Sequence, residues 1–402
     1  MHRFVPLLLL LAPAMPALDG PDPHRAGMDP ERLARIPVRM RQYVDAGAGA
    51  GYVTLVARHG VLAHLAASGW QDREKQIPMR TDTLFQIMSM TKPVTSVGIM
   101  ILVDEGRLSL NDPVEKHLPA FRGQQLAEAC TPGGSGPNCR LTRPSRPVTI
   151  YDLLTHTSGM AGGFHEPDPS RRRSLADAVA AEAKYPLEFE PGTKWQYSNP
   201  GMATLGRIVE VVSGEKYEEF IAARIFAPLG MRDSHFFPPA SKHGRIAAVY
   251  TDDNGTLKRA DVDLYRQGAV YPGPEGGLFS TAADLANFYQ MVLDRGVFGG
   301  RRILSAAAVA EMTMVHTGDL KAGFAPGVGY GLGWSVVKEA KGTFRYQSVG
   351  TFSHGGAFRT YGYVDPAKDL VGVILLQRTN GGGDVADEIN SFVAMVAAAI
   401  EK

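Results

Sequence analysis

A serine three residues ahead of a lysine is a chemically suggestive spacing at the start of a helix, and "FQIMSMTKPVTS" holds one in Ser89 and Lys92. A serine hydroxyl is a weak nucleophile until a base takes its proton. A lysine amine becomes such a base when burial and neighbouring charge depress its pKa toward about 7. The helix read from "MTKPVTSVGIMILVDE" ends at Gly106, a residue suited to a left-handed cap. Pro93 sets its start close upstream, because a missing N–H is tolerated only in the first turn. Ser89 and Lys92 then share one face, with Ser89 at the positive end of the helix dipole, which favours an alkoxide and an anionic transition state. Taken alone, the spacing equally describes a serine cap followed by a solvated lysine.

Two other stretches carry groups that would complete such a centre. In "WQYSNPG", Tyr197 and Asn199 stand two apart before a helix and project the same way; a tyrosine can shuttle a proton and an amide can hold a carbonyl. The plain alternative is a Ser-Asn-Pro-Gly turn that caps the next helix. In "FSHGGAFRTYGYVDP", Gly355 and Gly356 allow close approach at a strand edge, where the N–H of Ala357 would sit beside that of Ser89 as a second oxyanion donor. His354 would contact substrate or tune Tyr197, and the alternative is a glycine-kinked strand with an incidental histidine.

The elements that must position these residues are interleaved along the chain. A helical pattern near Pro30 to Asp45 precedes a β-hairpin around His59-Gly60. From Lys92 to about Leu320 the text is mostly helical and broken by Gly/Pro loops, and strand-like runs resume with "GYGLGWSVV" before a closing helix in "DVADEINSFVAMVAAAI". This predicts an α+β fold: an antiparallel sheet built from both chain ends, flanked by N- and C-terminal helices, with an inserted mainly helical lobe. The α/β lobe is expected at about residues 18–91 and 325–402, and the helical lobe at about 92–324.

Residues 1–17 read as a secretory signal: a basic start, the apolar run Phe4 to Leu11, and "APAMPA" for cleavage after Ala14 or Ala17. That run is far shorter than the roughly 20 residues of a spanning helix, so the mature chain, 18–402, is expected to be exported, periplasmic or secreted, without a membrane span. Cys130 and Cys139 flank "TPGGSGPN", a loop flexible enough to let them form a disulfide in an oxidising compartment; free thiols are the alternative. With 42 basic and 41 acidic side chains in 402 residues and no block of one sign, nothing points to nucleic acid as a partner. No metal-ligand or phosphate-cradling motif is present, so no metal or cofactor is expected.

"SMTKPVT", "LLTHTSG", "PGTKWQYSNPG", "GGLFSTAADL", "GYGLGW" and "SHGGAFRTYGYVDP", in this order, resemble the serine beta-lactamase-related hydrolases: class C beta-lactamases, DD-peptidases and SxxK esterases. The resemblance runs from about Ala34 to Ile400 and implies the beta-lactamase/transpeptidase-like fold. It implies Ser89 as the acylated nucleophile, Lys92 as its base, Tyr197 as proton relay, and Ser89 and Ala357 N–H as oxyanion donors. Asn199, His354, Gly355 and Gly356 would line the substrate site, the last three where the family usually carries Lys-Thr-Gly. A histidine of ordinary pKa, about 6.5, is mostly neutral at pH 7, which weakens carboxylate recognition and favours small uncharged esters. The implied activity is therefore first a carboxylesterase, then a beta-lactamase or D-amino-acid peptidase of the DD-carboxypeptidase kind. An acyltransferase or a non-catalytic binder of peptidoglycan-like ligands would use the same fold. The substrate would be a small ester, amide or beta-lactam; the oligomeric state is left open. Tyr271, Trp334 and Phe358 are candidates for an acyl pocket or for core, and "HTSG" at His156 to Gly159 reads as a structural turn.

Overall fold

Asp29 opens the first helix, α1 (Pro30–Asp45), by accepting the N–H groups of Glu31 and Arg32 at 2.8 and 3.1 Å. Strands β1 (Gly51–Arg58) and β2 (Val61–Asp72) follow as an antiparallel hairpin. Its two turn residues, His59 and Gly60, both hold left-handed backbone (φ 54° and 68°), the geometry that matches strand twist in a two-residue connection. The computed structural model describes residues 20–128, 140–263, 267–379 and 386–401; the expected leader at 1–17 and the pair Cys130 and Cys139 lie outside the described residues.

The short β3 (Ile77–Pro78) pairs with β2, and β4 (Val328–Tyr330), β5 (Ser335–Val337), β6 (Phe352–Gly355), β7 (Tyr361–Asp365) and β8 (Leu370–Leu375) come from the far end of the chain. Together they form an eight-stranded sheet in the order β4-β5-β6-β7-β8-β1-β2-β3, antiparallel throughout. The ends of the chain meet where β1 pairs with β8, with Val53 opposite Leu375 and Arg58 opposite Leu370. Alternation along β1 divides the core. Val53, Leu55 and Ala57 face the helical lobe, while Tyr52 and Val56 pack with Leu33, Ile36 and Met40 of α1 and with Ile389, Phe392 and Val396 of the C-terminal helix, Asp387–Ala398.

The inserted segment is led by α2 (Thr91–Asp104), which is buried from Thr91 to Leu102, as expected of a helix at the centre of a lobe. It ends in a Schellman-type cap, with Gly106 N–H donating to Val103 O (2.9 Å) and Arg107 N–H to Leu102 O (3.0 Å). Against it lie α3 (Asn199–Ser213) and, under the sheet, α4 (Ala282–Leu293). The lobe also contains strands that its helical text does not announce. One hairpin, Tyr250–Asp253 with Thr256–Arg259, turns on Asn254-Gly255, both left-handed. Another pair, Phe85–Gln86 with Phe279–Ser280, ties the segment before Ser89 to the segment before α4.

Candidate active site

The nucleophile candidate is delivered by a single turn of 3-10 helix, Met88–Met90, that runs into α2. Met88 holds φ 50°, a left-handed backbone that costs a side-chain-bearing residue roughly 1–2 kcal/mol. The surroundings enforce it: Thr91 Oγ1 donates to Met88 O (2.7 Å) and accepts from Leu278 N–H (3.1 Å), and Thr360 Oγ1 donates to Ile87 O (2.9 Å). Ser89 is thereby left half-buried at the front of α2 while the residues behind it are sealed in the core.

Lys92, one turn on, is fully buried, and its Nζ lies 3.0 Å from Ser89 Oγ. The same nitrogen lies 2.9 Å from Asn199 Oδ1 and 2.6 Å from Glu275 O. Burial pushes the Lys92 amine down to about 7, against a smaller opposing pull from the Glu275 carboxylate. A neutral amine has two N–H donors and one lone pair. With Asn199 Oδ1 and Glu275 O available for the donors, the lone pair is left for the hydroxyl of Ser89.

Asn199 is the first residue of α3, whose cap is Ser198 Oγ accepting from Gly201 N–H (3.0 Å). Tyr197 sits just before it, with its ring centroid 4.6 Å from Lys92 Nζ. Ser89, Lys92, Tyr197 and Asn199 therefore converge from two helix starts.

The third stretch forms the end of β6. Gly356 packs so tightly on Ile87 and Thr360 that any side chain there would collide with Ile87 O and Thr360 Oγ1. Gly356 N–H donates to Thr360 O (2.7 Å) and Arg359 N–H to Gly356 O (2.8 Å), closing a turn whose exposed residue is Ala357. His354 is buried, with Nδ1–H donating to Gly355 O (2.7 Å) and Nε2 accepting from Tyr330 O–H (3.2 Å). Burial, reinforced by the charge of Lys92 and only partly offset by the Gly355 hydrogen bond, pushes its pKa down to about 3. The expectation of an ordinary, titratable histidine is thus corrected: His354 is a neutral imidazole across the working pH range, with both nitrogens engaged within the protein.

The Beta-lactamase family model matches residues 39–394. The chain belongs to the beta-lactamase family. Penicillin-binding protein 4 of Amycolatopsis lactamdurans is 34% identical over 325 residues, 79% of this chain and 78% of that protein. Esterase EstB of Burkholderia gladioli is 30% identical over 391 residues, 89% of this chain and 93% of that protein. Among solved structures, "EstCE1, a hydrolase with promiscuous acyltransferase activity" superposes with a TM-score of 0.75, covering 93% of this chain and 99% of that one at 24% identity, a likeness of fold. The family is one of serine hydrolases that include esterases and DD-carboxypeptidases.

In this beta-lactamase-family chain, Glu275 and His156 also stand around Lys92 and Tyr197. Glu275 contributes a main-chain carbonyl, held by the turn "YPGPEGG", in which Gly277 N–H bonds Gly273 O (2.6 Å) and Gly273 is left-handed (φ 75°). His156 is buried against the rings of Tyr197 and Tyr330, with centroids 4.6 and 4.9 Å away, and its Nδ1 accepts Ser198 N–H at 3.2 Å. It braces the Tyr197 loop, so the "HTSG" turn supports the site although it holds no second nucleophile candidate in contact with Lys92. Trp334 belongs to the core, stacked on Phe288 at 6.2 Å, and Phe358 packs beside Leu84, Ile246, Val249 and Phe279. Tyr271 is buried, with its hydroxyl donating to Glu275 Oε2 (2.9 Å), and lines a cavity of about 250 Å³ with Phe164 and Arg171. Among the described residues no cluster of His, Cys, Asp or Glu suited to a metal occurs, and no helix is long and apolar enough to cross a membrane.

Proposed function

We propose that this protein is a serine esterase that forms an acyl-enzyme on Ser89 and hydrolyses small uncharged esters. The observation that carries the reading is the contact between Ser89 Oγ and Lys92 Nζ at 3.0 Å, with that amine brought to about 7 by burial. Lys92 takes the Ser89 proton, and Ser89 Oγ bonds to the ester carbonyl carbon. The resulting oxyanion is received by the N–H groups of Ser89 and Ala357, each worth on the order of 3 kcal/mol in such sites. The proton passes by way of Tyr197 to the departing alkoxide, and water then releases the acid by the same route in reverse. Asn199 accepts from Lys92 through Oδ1, which leaves its Nδ2 amide N–H groups to hold the acyl carbonyl side of the substrate. Neutral His354 supports an uncharged substrate, because the position where the family usually carries a lysine holds an uncharged imidazole that gives a carboxylate no cation.

Similarity to Penicillin-binding protein 4 favours a second reading, action on beta-lactams or D-Ala peptides. One experiment separates the two: rates on p-nitrophenyl butyrate, nitrocefin and a D-Ala-D-Ala peptide, with Ser89→Ala as control. The expected result is turnover of the ester at least a hundredfold above the other two, a butyryl adduct on Ser89 by mass spectrometry, and neither in the variant. Undiminished hydrolysis by Ser89→Ala would move the nucleophile elsewhere. We further propose export of the mature chain, tested by its recovery outside the cytoplasm when expressed with residues 1–17.

A further inference from the structure

Phe324 is 66% exposed, and its place beside Tyr197 sets it apart from the other exposed apolar side chains. Its ring meets Tyr197 edge-on at 5.1 Å and Trp195 at 5.7 Å, so one side is packed against the site and the other is bare. Trp195 in turn lies 5.6 Å from Tyr330, the hydrogen-bond partner of His354. The loop that carries Phe324 is anchored on both sides of it. Ala322 is buried, Ala325 packs on Val328, Val337 and Phe344, and Gly327 O accepts the N–H groups of Lys338 (2.8 Å) and Glu339 (3.0 Å). Lys338 Nζ ties the start of the loop through Gly318 O (2.6 Å). Left-handed Gly323 and Gly327 shape the turn so that the ring between the two anchored alanines points outward over Tyr197.

We propose that Phe324 and Trp195, with the ring of Tyr197, form a platform for the leaving alcohol, and that the enzyme is selective for esters of aromatic or arylalkyl alcohols. The proposal rests on the reading of Tyr197 as proton donor to the departing oxygen. As the Ser89 Oγ–acyl bond forms and the ester C–O bond breaks, the proton removed from Ser89 ends on the alcohol oxygen. That oxygen must therefore lie against Tyr197, and the group attached to it meets the rings beside Tyr197. The acyl group stays on Ser89. A flat, π-faced surface rewards an aromatic alcohol with stacking that an alkyl chain does not obtain.

The test holds the acyl group constant and varies the alcohol: kcat/KM for ethyl, cyclohexylmethyl, benzyl and 2-naphthylmethyl butyrate, alcohols of similar intrinsic reactivity, in the full-length enzyme and in Phe324→Ala and Phe324→Leu. A second series of ethyl acetate, butyrate and hexanoate reads the acyl side. Phe324→Ala is expected to lower the benzyl-to-ethyl ratio about tenfold, the naphthylmethyl-to-ethyl ratio further, and Phe324→Leu less, with acyl-chain ratios unmoved. Equal losses across both series, movement of the acyl series alone, or no movement would each overturn the platform. Labelling by a tagged fluorophosphonate, present in wild type and Phe324→Ala and absent in Ser89→Ala, keeps the two readings apart. Failure to label Ser89 overturns the function on which the platform rests; normal labelling with no aromatic preference overturns the platform alone.

Discussion

Lys92 has to be uncharged to accept a proton, and the burial that keeps it so also opposes folding. Activity follows directly: kcat/KM for a neutral ester should rise through about pH 7 as Lys92 deprotonates, with no further inflection down to about pH 4, because His354 stays neutral to about 3. A profile flat from pH 5 upward would assign the base to another group. The stability consequence has the opposite sense from that of a paired lysine. The folded pKa of about 7 lies below the ordinary 10.5, so the unfolded chain binds the proton more tightly. The penalty is full below about pH 7, on the order of 5 kcal/mol for such a shift, and fades as pH rises toward the ordinary lysine range. Lys92→Met should therefore abolish turnover yet raise Tm most at pH 6, with the gain shrinking by pH 10; a gain independent of pH would mean that Lys92 is not strained by its charge. The part of this centre carried by side-chain type was readable in sequence, since Ser89, Lys92, Tyr197 and Asn199 flank two recognisable helix starts. Glu275 was not, because its contribution to Lys92 is a carbonyl that any residue possesses, and only the Gly/Pro density of "YPGPEGG" marks it. The near-fixed neutrality of His354 was equally hidden, being a property of the Tyr330 and Gly355 partners that burial brings to it.

At the scale of elements, the turn at the end of β6 is tied to the C-terminal helix by a buried ion pair. Arg359, left-handed at φ 63° in the turn that follows Ala357, donates to Glu388 Oε1 at 2.6 Å, and both side chains are buried. Glu388 lies in the first turn of the C-terminal helix, so this pair fastens the turn that carries Ala357 to the far face of the sheet. Removing one partner of a buried pair leaves a charge without its counterion and commonly costs about 3–5 kcal/mol. Glu388→Ala should lower stability by that order in denaturant titration and reduce kcat/KM well below the melting range, while Glu388→Gln, which keeps an acceptor, should lose less of both. Unchanged kcat/KM in a clearly destabilised Glu388→Ala would separate the pair from the site. Element boundaries were legible where local chemistry dictates them: Asp29 and Gly106 as caps, His59-Gly60 as a primed turn. The Asn254-Gly255 hairpin carried the same local signal inside helical text. The Phe85–Gln86 and Phe279–Ser280 pairing had none, since two-residue strands are made by tertiary contact and not by propensity.

The whole molecule is organised by one consequence of its topology: the sheet that carries β6 cannot exist until both ends of the chain are present. Strand β1 is buried along its full length between β2, its sequence neighbour, and β8, which arrives after the entire helical insertion. Val53, Leu55 and Ala57 of β1 share one core with α2, α3 and α4, so the lobes distinguished along the sequence are not separate in packing. Trp334 shows the same continuity, stacked on Phe288 of α4 and, at 5.1 Å, meeting Phe352 of β6 edge-on. Domains that fold alone have their own cores, and this core is shared, so residues 18–402 should unfold as a single unit despite a length at which intermediates are common. Far-UV ellipticity, dominated by the helical insertion, and tryptophan emission from Trp70 in β2, Trp195 beside the site and Trp334 in the shared core should trace one superimposable transition in urea. The same dependence on distant pairing makes refolding slow for the size of the chain, because the long closure between β1 and β8 precedes most of the burial that rewards it. Two separated transitions, with Trp195 reporting one and Trp70 the other, would instead divide the chain at the boundary of the helical lobe and would place the active site on a movable seam between Lys92 and the end of β6.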